Sequence, residues 1–259
     1  MDGIPRITDR PDLYDWLYDD FSDDIPMYLK LAAPHQRVLE CGIGTGRIGI
    51  PLAKSGKDVY GLDYSSAMIN QLKTKISGLP NEIRDRIHLF HEDMRNFDLK
   101  ESFSFIFIPF STFNYLLRLD DQKNCIRSVY NHLEPSGTFV LELLSYSLYP
   151  YWFTNDSILR KYSEKRDPNT GQVIQLWKLG GFNSASQLIT EERHFRFYSP
   201  DGKFIREEVV YWENRFFFLG EIELLLQQNG FRLANVFGNF NFEPYQHSSP
   251  VAIIVAESK

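Results

Sequence analysis

Three apolar runs of the 259-residue chain end on carboxylates. Glu40 closes Arg37-Val38-Leu39. Asp63 closes Asp58-Val59-Tyr60-Gly61-Leu62. Glu92 and Asp93 follow the run at 86–90. A carboxylate accepts hydrogen bonds from a pair of hydroxyls, from an aromatic amine or from an ammonium. Acids at successive strand ends therefore suit a nucleoside-like ligand. Directly after Glu40, glycines alternate with other residues at Gly42, Gly44 and Gly46. Glycine permits positive φ and lets a ligand come close to the backbone. Ile48, Ile50, Leu52 and Ala53 then open an apolar helix, with Pro51 near its start. Such a strand–turn–helix presents free N–H groups and a positive helix end to the ligand.

Two cofactors compete for this turn. Gly44-Thr45-Gly46-Arg47-Ile48-Gly49 fits the dinucleotide pattern G-x-G-x-x-G. Glu40-Cys41-Gly42-Ile43-Gly44-Thr45-Gly46 equally fits the turn that holds S-adenosylmethionine (SAM). Asp63 serves either, because both ligands carry a ribose diol. Three features favour SAM. A carboxylate at Glu40 is badly placed for a pyrophosphate but suits the α-ammonium and sulfonium of SAM. Glu92-Asp93-Met94 offers an acid for the adenine amine and a following backbone N–H for a ring nitrogen. The tail at 239–250 has no helical pattern and suits a hairpin between two closing strands, an arrangement that resembles the sheet ending of class I methyltransferases.

The elements that must position these residues alternate. Strands are expected at 37–41, 58–63, 86–90, 104–109 and 137–144, and helices at 45–55, 65–77 and 120–133. Ser65 or Ser66 is the N-cap of the second of these helices. Leu219 to Asn229 forms another helix stopped by Gly230, and strands at 231–237 and 251–256 close the sheet. This pattern predicts a doubly wound α/β fold with a Rossmann-like, mostly parallel sheet of seven strands. Between strands five and six, 173–179, 187–198 and 203–216 are rich in β-branched and aromatic residues. Ser199-Pro200-Asp201-Gly202 makes a turn there. The expectation is one domain. Residues 1–34 form a helical lid, 35–149 and 218–259 the cofactor-binding core, and 150–217 an antiparallel insertion over the substrate site.

Composition is that of a globular protein, with 43% hydrophobic, 24% charged and 15% aromatic residues. A net charge of −6 argues against nucleic acid as a partner. No apolar run is long enough for a membrane helix, and the start lacks the apolar stretch of a signal peptide. A cytoplasmic protein with no membrane partner is expected, with Cys41 and Cys125 as buried free thiols. No metal is expected. Oligomeric state is left open, with a homodimer compatible.

On these motifs the chain resembles the class I SAM-dependent methyltransferases over nearly its whole length. Leu133-Glu134-Pro135-Ser136-Gly137 also resembles the family's turn before strand five, with Ser136 replacing a glycine. Tyr14-Asp15-Trp16-Leu17-Tyr18 and the insertion resemble a narrower group, the glycine and amino-sugar N-methyltransferases. By that resemblance Tyr14 contacts SAM and Gly42 offers its carbonyl to the methionine ammonium. Asp63 holds ribose, Asp93 and Met94 hold adenine, and Phe110 and Ser111 lie beside the transferring methyl. The candidate cofactor set is thus Tyr14, Glu40, Gly42, Gly44, Gly46, Arg47, Asp63, Tyr64, Met68, Asp93, Met94, Phe110 and Ser111. The product would be S-adenosylhomocysteine (SAH).

Some relatives carry a histidine after strand four, whereas this chain has Phe110-Ser111-Thr112-Phe113-Asn114-Tyr115. A neutral amine needs no base before it attacks, unlike a hydroxyl or carbon acceptor, so the stretch leans toward an amine. Tyr14 and Tyr115 are the candidate catalytic residues, and His194 and His247 are further candidate bases. Tyr14, Trp16, Phe113, Tyr146, Tyr149, Tyr151, Trp152, Tyr211 and Trp212 could close a small-molecule pocket and face a cationic amine. Arg193, Arg206 or Arg215 could hold an anionic group on the substrate. The competing readings are a nicotinamide-dependent oxidoreductase and a non-catalytic SAM-binding protein.

Overall fold

The computed structural model describes residues 4–145 and 158–258. Two compact units are resolved, one of Thr8–Leu148 with Phe216–Lys259, the other of Met1–Ile7 with Tyr149–Arg215.

The first unit is the α/β body. Helices α1 (Pro11–Tyr18) and α2 (Ile25–Ala32) precede β1 (Arg37–Cys41). Then come α3 (Gly49–Lys54), β2 (Asp58–Asp63), α4 (Ser66–Ser77), α5 (Asn81–Arg84), β3 (Ile87–His91) and β4 (Phe103–Ile108). A 3₁₀ turn (Thr112–Tyr115), α6 (Leu119–His132) and β5 (Leu133–Leu144) follow. After the second unit, α7 (Leu219–Gln228), β10 (Phe231–Phe237) and β11 (Val251–Ser258) complete the sheet. Its seven strands run in the order β10-β11-β5-β4-β1-β2-β3. Strands β1 to β5 pair in parallel, and β11 is antiparallel to both β5 and β10. The expected mostly parallel seven-stranded sheet is thus present. Two apolar layers cover it. Ile106, Phe139, Ile126 and Ile222 belong to one, and Phe105, Val140, Leu52 and Leu72 to the other. Successive residues of a strand face opposite layers, so these buried strands read as continuous apolar runs.

Several boundaries differ from expectation. The helix after β1 starts at Gly49 rather than Thr45, because residues 43–48 remain a turn to carry the glycines. Ser65 is the N-cap of α4, accepting from Met68 N–H at 3.3 Å. Cys41 and Cys125 are free and buried. Burial pushes both thiols up in pKa, which leaves Cys41 unsuited to act as a nucleophile.

The second unit is a four-stranded antiparallel sheet in the order β6 (Arg160–Arg166), β7 (Val173–Asn183), β8 (Leu188–Tyr198), β9 (Phe204–Arg215). Its central strand alternates strictly, with Ile189, Glu191, Arg193, Phe195 and Phe197 on the buried face. The chain start extends this sheet, since Tyr211 N–H donates to the Pro5 carbonyl at 2.8 Å. Strand β6 was not expected. The aromatic candidates Tyr146, Tyr149, Tyr151 and Trp152 lie outside the described residues. Among the described residues no helix is long and apolar enough to cross a membrane.

Candidate active site

The site is built at the carboxyl ends of the parallel strands. Gly42, Gly44 and Gly46 all have positive φ (82°, 56° and 86°), which explains their spacing. A Cβ on Gly42 would run into the Thr112 side chain, and one on Gly46 into Leu72. A Cβ on Gly44 would meet nothing within 4 Å, so Gly44 has an open side. Asp63 fixes this turn. Its two oxygens accept from Gly44 N–H and Ser65 N–H, each at 2.8 Å. Burial pushes its carboxyl up in pKa against the pull of those two donors. Each oxygen keeps a lone pair for a further donor such as a ribose hydroxyl.

Glu40 lies beneath the turn, 2% exposed, and its Oε2 has no hydrogen-bond partner. Burial holds its carboxyl well above the usual range. Arg47 does not answer it directly. Its guanidinium forms a two-pronged pair with Asp24 at 2.6 and 2.7 Å and stacks over Phe110 at 4.4 Å. Asp24 is fully buried.

After β4, Phe110 and Ser111 both take positive φ (53° and 57°), an uncommon choice for non-glycine residues. The Phe110 ring is packed by Tyr18 (4.8 Å), Phe21 (5.6 Å) and Tyr14 (6.5 Å). Tyr14 and Tyr18 also touch each other at 4.9 Å, as their helical spacing predicts. Burial drives the Tyr14 phenol far up in pKa, with Arg47 opposing and Tyr18 and Tyr115 adding. Helix α1 is held down by Asp15, which sequence reasoning missed. Its carboxylate accepts from Thr45 Oγ1 at 2.6 Å, Lys75 Nζ at 2.7 Å and Gln71 Nε2 at 3.1 Å.

At the end of β3, Asp93 is chelated by the Arg95 guanidinium, whose Nε lies 2.8 and 3.0 Å from the two oxygens. Tyr64 is 72% exposed, and the Arg95 guanidinium lies 6.0 Å from its ring. Met94 packs partly buried against the core, and Met68 is buried on α4. Arg95 was also missed, although it follows Met94 directly.

The remaining candidates sit elsewhere. His194 lies in the antiparallel sheet, 3.4 Å from both Glu192 and Glu207. His247 is exposed between β10 and β11. Arg193 is buried against Glu191, Arg206 pairs with Glu208 over the Phe197 ring, and Arg215 bonds Gln187.

The residues present fit SAM. An orphaned carboxylate oxygen at Glu40, an open glycine face at Gly44 and a ribose-type acid at Asp63 surround one turn. The same buried acid opposes a pyrophosphate.

Comparison with known proteins agrees. Residues 38–137 match the family described as a methyltransferase domain. The chain is 25% identical over 252 residues to a putative methyltransferase, YqeM, of Bacillus subtilis, covering 94% of this chain and 95% of that protein. It is 29% identical over 154 residues to dTDP-3-amino-3,4,6-trideoxy-alpha-D-glucopyranose N,N-dimethyltransferase of Streptomyces venezuelae, covering 56% of this chain and 59% of that one. The fold resembles SAM-bound CalS10, an amino pentose methyltransferase from Micromonospora echinaspora. The TM-score is 0.70 at 21% identity, over 95% of this chain and 97% of that one. Neither the oxidoreductase nor the non-catalytic reading finds support among these relatives. Glycine turn, sheet order and relatives lead to one conclusion: residues 38–137 match a methyltransferase domain, and the chain is a SAM-dependent methyltransferase.

Proposed function

We propose that the chain methylates an amine nitrogen on a small molecule of the amino-sugar type. The observation that carries this reading is the surround of Phe110. The described side chains packed on its ring are Tyr14, Tyr18, Phe21 and Arg47, with no histidine or lysine among them. A hydroxyl or carbon acceptor calls for a base, whereas an amine attacks with its own lone pair and loses its proton afterwards. Aromatic faces suit a substrate that is cationic when protonated. The similarity to an N,N-dimethyltransferase and to an amino pentose methyltransferase supports the same acceptor class.

When bound, SAM supplies an electrophilic methyl on a sulfonium. Asp63 would hold the ribose diol, Gly42 and Glu40 the methionine ammonium, and Asp93 with the Met94 N–H the adenine. Gly44 and Gly46 give the backbone its approach, Arg47 and Met68 support the turn, and Tyr64 offers a ring beside the adenine. Phe110, Ser111 and Tyr14 would line the methyl-transfer edge. Tyr14 keeps its proton and serves as a donor or a wall rather than a base. Tyr115, which adds to the upward push on the Tyr14 phenol, would act on the same edge. The chain's main contribution is orientation, which lowers such barriers by up to about 7–11 kcal/mol.

The test is mass spectrometry of SAM incubations with paired acceptors, each amino sugar set against its hydroxyl counterpart, free and nucleotide-linked. Mono- and dimethylated amines with inert hydroxyl counterparts are expected. Methylation of the hydroxyl partner alone would overturn the amine assignment.

A further inference from the structure

Glu142 is the one charge in the apolar stretch 139–144 of β5, 2% exposed, and no step above uses it. One of its oxygens, Oε2, accepts from Tyr28 Oη at 2.8 Å and from Phe110 N–H at 3.0 Å. The second bond holds the backbone of the Phe110–Ser111 turn from below, at the point where both residues take positive φ. Among the described residues no cation is hydrogen-bonded to it. Asp24 and Tyr28 face it from α2 and the residue before it, and Arg47 faces it from the glycine turn. Strand β11 sets Ile253 opposite it. Arg47 is committed to Asp24 through both terminal guanidinium nitrogens, Nη1 and Nη2, and the same cation also pulls on Glu40. Three buried carboxyl groups thus draw on one guanidinium. Two charged carboxylates without counter-ions are costly in such a place, so protons take up the excess. Burial accordingly pushes Glu142 up to about 7.

We propose that Glu142 positions the Phe110–Ser111 turn and is the buried group that answers the sulfonium, so that SAM, unlike SAH, binds with release of a proton from this carboxyl. The inference rests on the reading that this turn borders the methyl-transfer edge. The O–H bond of the neutral carboxyl breaks, the electron pair stays as carboxylate charge, and the proton passes to bulk buffer. The carboxylate then balances the ligand's extra positive charge and accepts more strongly from Phe110 N–H. Methyl transfer removes the sulfonium charge, so SAH leaves from a site that has regained its proton.

Calorimetric titration with SAM and with SAH at pH 7, in buffers of different ionisation enthalpy, counts the protons exchanged. A group titrating near this pH gives about half a proton more released with SAM than with SAH in the wild type. The difference should vanish in Glu142→Gln, which keeps an acceptor for Tyr28 and Phe110. The ligand amines, which titrate at about 8, contribute alike to both proteins and cancel from this comparison. Independently of any variant, the wild-type SAM-to-SAH affinity ratio should rise about fivefold between pH 6 and pH 7. Equal proton release for the two ligands, a flat ratio, or a difference surviving in a folded Glu142→Gln protein overturns the inference and leaves the cofactor site standing. Failure of both ligands to bind the wild type overturns the site and the inference together.

Discussion

The two units each bury a cluster of charges, and the clusters are unbalanced in opposite senses. In the α/β body, Asp24, Glu40 and Glu142 draw on Arg47, which is paired with Asp24. In the antiparallel sheet, Arg193 and Lys178 converge on Glu191, with Lys178 Nζ at 3.5 Å. Surplus acid leaves carboxyls that are hard to ionise. Surplus cation leaves an amine that is hard to protonate, and burial with Arg193 nearby brings Lys178 down to about 8 although Glu191 pulls it back. Glu191, with two cations, is held below its ordinary value despite burial. Aromatic faces take part of the surplus in the sheet, where Lys178 lies 3.6 Å over Tyr162 and Arg193 4.9 Å over Trp212. The acid cluster has no equivalent and sits beneath a glycine turn. An internal charge imbalance is a structural matter in one unit and a binding property in the other.

Removing the one cation of the acid cluster should do the most damage. Arg47→Met leaves Asp24 fully buried without its partner and adds Glu40 and Glu142 to the imbalance. The expected loss is about 3–5 kcal/mol in chemical denaturation. A loss within 1 kcal/mol would show that Asp24 protonates at little cost and that the cluster is not electrostatically tight. In the sheet, Glu191→Gln takes the carboxylate from two cations but keeps a hydrogen-bond acceptor. Lys178 can also shed its proton, so the loss should be smaller, about 2–3 kcal/mol. A larger loss than for Arg47→Met would reverse the comparison.

Much of this architecture could be read in the chain beforehand, and the gaps follow from physics. Strands β1 and β2 and the glycine turn are local signals of apolar run, glycine and terminal acid. Strand β6, Arg-Lys-Tyr-Ser-Glu-Lys-Arg, carries the charges of an edge strand and so hides from an apolar search. Asp15 and Asp24 were missed because pairing partners are set by tertiary structure, as with Asp24 and Arg47, whereas Arg95 pairs with Asp93 two residues away and was legible in the chain. Glu142 did leave a trace: a single acid inside Phe139-Val140-Leu141-Glu142-Leu143-Leu144 must be buried and therefore answered. Asp63 shows the limit of reading roles from position. A strand-end acid looks dispensable to the fold, yet it ties down Gly44 and Ser65, so Asp63→Ala would disturb the turn as well as any ribose contact.

The two imbalances should also separate in their pH windows. Glu142, raised from 4.5 to about 7, is protonated more readily in the folded state, so its contribution to stability falls as pH rises between those values and is constant above. Lys178, lowered from 10.5 to about 8, binds its proton less readily when folded, so stability rises with pH between about 8 and 10.5. Denaturation free energies across pH should show a shallower first slope in Glu142→Gln, Glu40 keeping its own, and should lose the second in Lys178→Met. Each effect should be roughly 1–3 kcal/mol. A single variant that flattened both windows would show that the titrations are not local.

The finest contrast uses two glycines with the same backbone demand. Gly44 in the body and Gly202 in the turn between β8 and β9 both have positive φ, 56° and 84°, and a Cβ on either meets nothing within 4 Å. Alanine at each should therefore cost the same backbone strain, about 1 kcal/mol, and lower the melting temperature by a few degrees at most. Neither change removes a hydrogen-bond donor, so Gly44 N–H can still reach Asp63. What differs is the meaning of the open space. At Gly202 it is solvent beside a hairpin. At Gly44 it is the face across which a nucleoside would approach the backbone, and a methyl group there occupies the ligand's position. Gly44→Ala should weaken SAM and SAH binding alike by tenfold or more, read by calorimetry, while Gly202→Ala binds both as the wild type does. If Gly44→Ala also bound both ligands normally at unchanged stability, the turn would hold the strand and helix in place without touching the cofactor. The orphaned Glu40 oxygen would then need another explanation.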